Sequence, residues 1–418
     1  MSFRIYGHSV CPHFIAVFSA LTLCADETAP LRTLTVEECL SRVAERSPDL
    51  KAGAYRTEAA ASRAKQAALR PNPRLETEVE NVAGTGDARG FQAAESTVSL
   101  VQEIEWGGKR QSRTAAAEAE ADASRAGEAA LRHAALFEAR RAVLAVLLSQ
   151  EKLRLGEETL ALVRETESGV LAREQAGKAT AVDAERARAE RLRAELGVQA
   201  SRTEQRDAVR ELALCWGETE PAFDAVAGSL AVPASAELPP LDGLVVRAAN
   251  HPALLAADAQ ARLAEANVRV AQAARKPNVE LATGLRRFEA FDGLGFVAGV
   301  GVELPLFNNN RGALRAAERD AEAARLDAVA VRLKNEGFVR RLYAKLRALA
   351  DREAQLRATV VPSAERTLTL VREAYAQGKV GQLDVLEARR SLAEAQLDAL
   401  TAAAEYHACR IELDQRVP

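Results

Sequence analysis

The chain matches itself. Leu40, Ala44, Pro48, Leu50, Ala52, Pro73 and Glu76 return 204 residues later as Leu244, Ala248, Pro252, Leu254, Ala256, Pro277 and Glu280. Further on the spacing becomes 201, with Gly177-Lys178 returning as Gly378-Lys379 and Asp183 as Asp384. A match of this length at a nearly constant spacing means two copies of one unit of about 200 residues, each with the same series of elements. Pro233, Pro239 and Pro240 mark the joint between them. The expected organisation is a leader over 1–25, a first repeat over 26–230, a linker over 231–243 and a second repeat over 244–418.

Each unit reads alike. A helix of about 35 residues is expected over Val36–Leu69 and again over Leu244–Ala274, stopped by Pro71 and Pro73 in one copy and Pro277 in the other. A strand follows, Arg74–Val82 and Asn278–Arg286. Next come a Gly-rich polar loop and a second strand, Ser96–Trp106 and Phe296–Leu306. The second strands alternate, with Val98, Leu100, Ile104 and Trp106 on one side and Val300, Val302 and Leu304 in the other copy. Each strand has the length that a tilted membrane-spanning strand needs, about 9–11 residues.

After each hairpin comes a long helical stretch. Lys109–Glu174 contains no Pro, and at 1.5 Å per residue it is expected to run about 100 Å. It breaks at Gly177, and a second helix covers Thr180–Cys215. The other copy runs Ala313–Ala376, breaks at Gly378 and Gly381, and returns over Leu383–Leu413. Pro362 has Ala161 as its counterpart, so a kink is expected only in the second copy. Val146, Leu153 and Leu160 recur every seven residues, and so do Leu148, Leu155 and Leu162. Two positions apart on a helix is about 200°, so these stripes face nearly opposite ways. A two-stranded coiled coil needs one seam; two opposed seams predict neighbours on both flanks, as in a closed ring of helices. The second copy carries one clear seam, Leu342, Leu349 and Leu356.

Composition agrees with long helices: charged residues make up 28 % and aromatics only 4 %. A net charge of −3 argues against a general nucleic-acid scaffold. The scarce aromatics Phe91, Trp106, Phe288, Phe291, Phe296 and Phe307 sit in or beside the two hairpins, where an interfacial girdle would place them. After the N-terminus no segment approaches 18 consecutive apolar residues, so any membrane entry must be by strands.

The N-terminus itself reads as an export signal, Arg4 and His8 ahead of the apolar Phe14–Leu23 and then Cys24-Ala25-Asp26. Leu21-Thr22-Leu23-Cys24 resembles a bacterial lipoprotein signal, with Leu23 where a small residue is usual. Acylation of Cys24 and ordinary cleavage near Ala25 both stay open. Cys39, Cys215 and Cys409 then lie outside the cytoplasm, but an odd, widely spaced set is no disulfide framework.

Four strands cannot close a membrane barrel alone, so several chains must share one. An exported two-fold repeat of helix, β-hairpin and long helical hairpin resembles the TolC-type outer-membrane efflux channels. The likeness is carried by Ser47-Pro48-Asp49-Leu50 and its echo Asn250-His251-Pro252-Ala253-Leu254, by Pro71-Asn72-Pro73, by Leu304-Pro305-Leu306-Phe307 and by Tyr375–Glu387 (YAQGKVGQLDVLE). Gln102–Arg110 (QEIEWGGKR) is similar to the branch that serves heavy-metal pumps of the resistance-nodulation-division class, the cobalt–zinc–cadmium type. The resemblance implies a mainly α protein with transmembrane β structure. It implies a homotrimer forming one 12-stranded barrel in the lipid of the outer membrane, continued by an α-helical tunnel across the periplasm. Its implied partners are a periplasmic adaptor and an inner-membrane pump, and its implied task is passive conduction of substrate, heavy-metal cations in this branch. Ducts for drug efflux and for type I polypeptide secretion share the fold, and the tunnel sequence does not separate them.

The same resemblance assigns site residues. Gly177, Lys178, Gly378, Lys379 and Gly381 become the tunnel tips where an adaptor docks. From the residues alone, Gly-Lys is also a helix C-cap with a cation suited to the dipole. Asp384 and Glu387 lie three apart on one face and match the acidic channel constriction, with Glu where the family has Asp; without that match they read as a solvated face. Tyr375 matches a gate tyrosine, and Asp183 is the first-copy counterpart of Asp384. Val380 stands where better-known members carry a gate arginine.

No enzyme is expected: there is no nucleotide-binding Gly loop, no HExxH and no nucleophile triad. His133, His251 and His407 are isolated, so neither a metal site nor a cofactor is expected, and metal selectivity would lie mainly in the pump. A periplasmic adaptor is the other helical-hairpin class, but it carries a lipoyl-like β-domain with no counterpart here.

Overall fold

A computed structural model describes residues 32–233 and 239–418. The leader, Cys24 and part of the linker therefore lie outside the described residues. The chain runs β1 (Arg32–Thr35), α1 (Val36–Arg46), α2 (Pro48–Ala67), β2 (Arg74–Glu80), β3 (Glu95–Ile104), α3 (Lys109–Gln175), α4 (Ala181–Leu214) and β4 (Phe223–Ala227). The same series then recurs: α5 (Leu241–Ala248), α6 (Pro252–Ala273), β5 (Val279–Phe288), β6 (Gly293–Val302), α7 (Arg311–Gln355), a π-helical turn (Leu356–Val360), α8 (Val361–Ala376) and α9 (Gln382–Arg416).

Three features differ from the sequence reading. The opening helix of each copy is two helices, broken at Ser47 and at His251. The cause is the following proline: Pro48 and Pro252 each start the second helix, where the missing N–H is harmless, while crowding their predecessors out of the helical region. Ser47 and His251 accordingly adopt extended ψ values of 123° and 131°. Second, β1 and β4 form a parallel two-stranded sheet that local pattern did not reveal. Third, the helix interruption tied to Pro362 is a five-residue π segment directly before it, whereas α3 continues unbroken for 67 residues.

The second sheet is the membrane candidate. Its strand order is β2-β3-β5-β6, antiparallel throughout, with β2 and β6 as open edges. Register sorts its faces. Leu75 opposes Leu100, Val98 opposes Leu285, Leu281 opposes Val300 and Leu285 opposes Phe296, so one face is apolar and exposed. The other face carries Glu76, Glu78, Glu80, Glu95, Thr97, Ser99, Glu103, Glu280 and Arg286. There Arg286 bridges Glu80 at 2.9 Å and Glu95 at 2.8 Å, and donates to Thr97 at 2.9 Å. A sheet with one exposed apolar face and one charged face departs from the soluble pattern and suits lipid on one side and water on the other. Trp106 and Phe307 follow the strand ends nearest the helices, while Phe91, Phe288, Phe291 and Phe296 cluster toward the hairpin turns. Among the described residues no helix is long and apolar enough to cross a membrane.

The core sits where the helices are most crowded. One cluster joins Leu34, Cys39 and Val43 to Val143, Val146 and Leu147 of α3, Leu212 of α4, and Trp216, Phe223 and Val226. A second joins Leu244 to Val339, Leu342, Leu346 and Leu349 of α7 and Tyr406, Cys409 and Leu413 of α9. The two expected stripes on α3 are treated differently. Val146 and Leu160 are buried, whereas on the opposed stripe Leu162 remains 41 % exposed, an apolar surface the single chain leaves open.

Candidate functional site: the helical tips and the groove behind them

The two long hairpins end in the same device. In the first, Gly177 N–H donates to the Glu174 carbonyl at 2.8 Å and Lys178 N–H to the Arg173 carbonyl at 2.7 Å. In the second, Gly378 donates to Tyr375 at 3.0 Å and Lys379 to Ala374 at 2.9 Å. These pairs are the two bonds of a Schellman cap, which requires a left-handed residue; Gly177 and Gly378 supply it at φ +71° and +73°. Lys178 and Lys379 follow, with their charges beside helix C-termini. Both lysines are exposed, as is Gly381.

Each returning helix opens on an aspartate. Thr180 and Asp183 form a reciprocal capping box, in which Asp183 accepts from Thr180 N–H at 3.1 Å and from its hydroxyl at 2.7 Å. Those bonds hold the Asp183 carboxyl below its usual range, the Thr180 hydroxyl contributing most. Asp384 takes the same place in α9 and accepts from Gly381 N–H at 2.8 Å. Asp384 and Glu387 are both exposed, while Gln382, Val385, Leu386 and Ala388 turn inward. The two acidic side chains thus share the face of α9 that the rest of the chain does not cover.

Tyr375 is half-buried, and its ring lies 4.5 Å beneath the Arg173 guanidinium. The arginine comes from α3, so this contact ties the first hairpin to the second. Sequence reasoning singled out Tyr375 and noted Val380 in place of an arginine, but did not find Arg173, which is 202 positions away. Behind Tyr375 lies a cavity of about 200 Å³ between α3, α8 and α9, lined by Thr166, Val170, Arg173, Arg372, Gln382 and Arg389 among others. Arg389 donates from Nη1 to the Leu162 carbonyl at 2.5 Å. Its pKa is lowered, chiefly by burial and then by neighbouring Arg372. The signal for these residues was present: Gln382, Val385 and Arg389 follow a 3–4 spacing, which puts an amide and a guanidinium on the inward stripe of α9.

Among the described residues no group of three or more His, Cys, Asp or Glu side chains is placed to hold a metal ion. His133 and His251 do meet, with ring centroids 5.2 Å apart and edge to face. His251 is buried and caps α6, its Nδ1 accepting from Ala253 N–H at 3.2 Å.

Known proteins with this arrangement are membrane channels. The chain is 29 % identical over 385 residues to the cobalt-zinc-cadmium resistance protein CzcC of Cupriavidus metallidurans, covering 91 % of this chain and 89 % of that one. It is 32 % identical over 290 residues to the nickel and cobalt resistance protein CnrC of the same organism, covering 68 % of this chain and 67 % of that one. The solved structure of CusC superposes with a TM-score of 0.77 at 19 % identity, covering 93 % of this chain and 94 % of that one. The outer membrane protein VceC of Vibrio cholerae superposes with a TM-score of 0.76 at 21 % identity, covering 91 % and 95 %. The fold is therefore that of the TolC-type channels. The model of the outer membrane efflux protein family matches residues 39–218 and again 246–416, one match in each copy of the repeat, and with both halves matched the chain belongs to the outer membrane efflux protein family.

Proposed function

We propose that three copies of this chain close a twelve-stranded barrel and act as the passive outer-membrane exit of a tripartite heavy-metal efflux pump. The observation that carries this is the four-stranded sheet with its apolar outer face, charged inner face and two unpaired edges. In lipid an unpaired strand edge leaves backbone groups without partners, and joining β6 of one copy to β2 of the next removes every edge. The exposed stripe through Leu162 then meets a neighbouring copy. On this reading 1–25 is removed on export, Cys24 is the candidate lipidation site, and repeats 26–230 and 244–418 surround one pore through the linker 231–243.

The helical tips face the periplasm. Gly177, Lys178, Gly378, Lys379 and Gly381 receive a periplasmic adaptor, through which an inner-membrane resistance-nodulation-division pump delivers cargo. Asp384 and Glu387 from three copies form the acidic constriction, with Asp183 adding negative charge beside it and Tyr375 holding the two hairpins together. The relatives' names connect them with cobalt, zinc, cadmium and nickel, and divalent cations suit the carboxylate excess on the inner face of the sheet. The chain conducts and catalyses nothing.

Two measurements test this. Native mass spectrometry in detergent should give a trimer; a stable, folded monomer overturns the architecture. Deleting the gene should sensitise cells to cobalt, zinc or cadmium, with rescue by the wild-type chain. Sensitivity to hydrophobic drugs alone would keep the duct and overturn the cargo.

A further inference from the structure

The cavity behind Tyr375 is short of acceptors. Among the described residues eight buried side-chain nitrogen or oxygen atoms lack a hydrogen-bond partner, and four of them line this one cavity: Arg173 Nε, Arg389 Nε and both amide atoms of Gln382. Gln382 is only 8 % exposed, so its amide atoms meet the cavity rather than bulk solvent. Three of the four atoms are donors. Buried donors left unmet are costly, more so when charged, and their concentration in one place points to an absent acceptor.

The charges agree. Neighbouring arginines are matched: Arg164 to Glu195 at 2.9 Å, Arg191 to Glu167 at 2.8 Å, and Arg390 to Glu190. Arg173, Arg372 and Arg389 have no such carboxylate partner among the described residues, and Glu165 is the only acidic residue lining the cavity with them. Guanidinium groups are planar forks suited to two oxygens of one anion. The cavity, at about 200 Å³, is large enough for a small oxyanion.

We infer that Arg173, Arg372, Arg389 and Gln382 form an oxyanion site joining the two helical hairpins just behind the tips. Its ligand is a phosphate or carboxylate group, held by the arginines and by the Gln382 N–H, while the Gln382 carbonyl accepts from a hydroxyl of the anion or from its water. Because Arg173 belongs to α3 and the other three to α8 and α9, an occupied site bridges the two hairpins where three like charges otherwise share one cavity. The ligand has two sources, a free anion or the acidic side chain of an adjoining copy.

The test uses the full chain in detergent. Inorganic phosphate, titrated at constant ionic strength and followed by calorimetry, should bind at one site per chain. Arg372→Gln, an exposed position where folding is safe, and Gln382→Leu should each weaken binding at least ten-fold. Electron cryomicroscopy of the same sample covers the other source: an Asp or Glu of a neighbouring copy within hydrogen-bonding reach of Arg173 and Arg389 also supports the site and explains any failure of phosphate to enter. An empty cavity with no phosphate binding overturns the inference. So does phosphate binding that survives Arg372→Gln unchanged, because the anion then sits elsewhere.

Discussion

Arg173 lies over the ring of Tyr375, its guanidinium carbon 4.5 Å from the ring centre, and this one contact spans both halves of a duplicated chain. It uses the face of the ring rather than its hydroxyl. Tyr375→Phe should therefore leave closure nearly unchanged, whereas Tyr375→Leu and Arg173→Ala should each loosen it. A partly buried cation–π contact is worth about 0.5–1 kcal/mol, or roughly a two- to five-fold change in open probability. Single-channel recording in planar bilayers measures this, and a double-mutant cycle isolates the pair. A large effect of Tyr375→Phe would shift the role to the hydroxyl.

The face assignment of the sheet predicts unequal tolerance at adjacent positions. Leu100 is 46 % exposed on the apolar face, beside Leu75 and Thr283. Ser99 lies on the charged face directly opposite Glu76. Leu100→Lys should impair membrane assembly by about 2–4 kcal/mol if that residue sits near the bilayer midplane. Ser99→Lys should assemble normally, its ammonium entering water beside a carboxylate. Heat-modifiable mobility of the assembled channel reads both variants. The opposite order would turn the barrel inside out.

The carboxylates at the tips predict ion selectivity. Asp384 caps α9 and projects with Glu387 from its uncovered face. In a three-fold ring both would attract cations to the mouth, the more so at low salt. Asp384→Asn with Glu387→Gln should lower cation over anion permeability in planar bilayers, most visibly below 0.1 M salt where screening is weak. Unchanged reversal potentials would return both residues to an ordinary solvated helix face.

Much of this molecule was legible because its elements are long and punctuated. Gly177 and Gly378 ended helices where a left-handed residue was needed, and Pro71, Pro73 and Pro277 separated helix from strand. Strand alternation at Val98, Leu100 and Ile104 grouped residues of the exposed apolar face. What escaped was non-local or depended on a competing local preference. The β1–β4 pair joins Leu34 to Val226, and no short-range pattern encodes a partner so distant. The breaks at Ser47 and His251 are proline effects that helical periodicity on both sides concealed. In the candidate site, Tyr375 was singled out by its motif, whereas Arg173, Arg372, Arg389 and Gln382 belong to three helices and converge only when the hairpins pack.

The final prediction concerns pH. His251 is buried at the start of α6, its ring edge to face with His133. Burial, then the neighbouring His133 and Arg416, push its pKa down from 6.5 to about 4. His133 is lowered as well, by burial first and then by Arg140 and Arg416. The folded chain therefore resists protonation that the unfolded chain accepts. Above pH 6.5 neither state of His251 is charged and the shift has no effect. As pH falls below that value the unfolded state gains a proton that the folded state does not, so stability declines until about pH 4, where the folded form titrates too. At about 1.4 kcal/mol per pH unit, the loss over that window is about 3 kcal/mol for His251. His251→Asn keeps a side-chain acceptor able to cap α6 while removing the titration. Thermal unfolding of the wild type should drop steeply between pH 6.5 and 4, and the Asn variant should flatten that slope. Equal slopes in the two proteins would assign the acid sensitivity to groups other than His251.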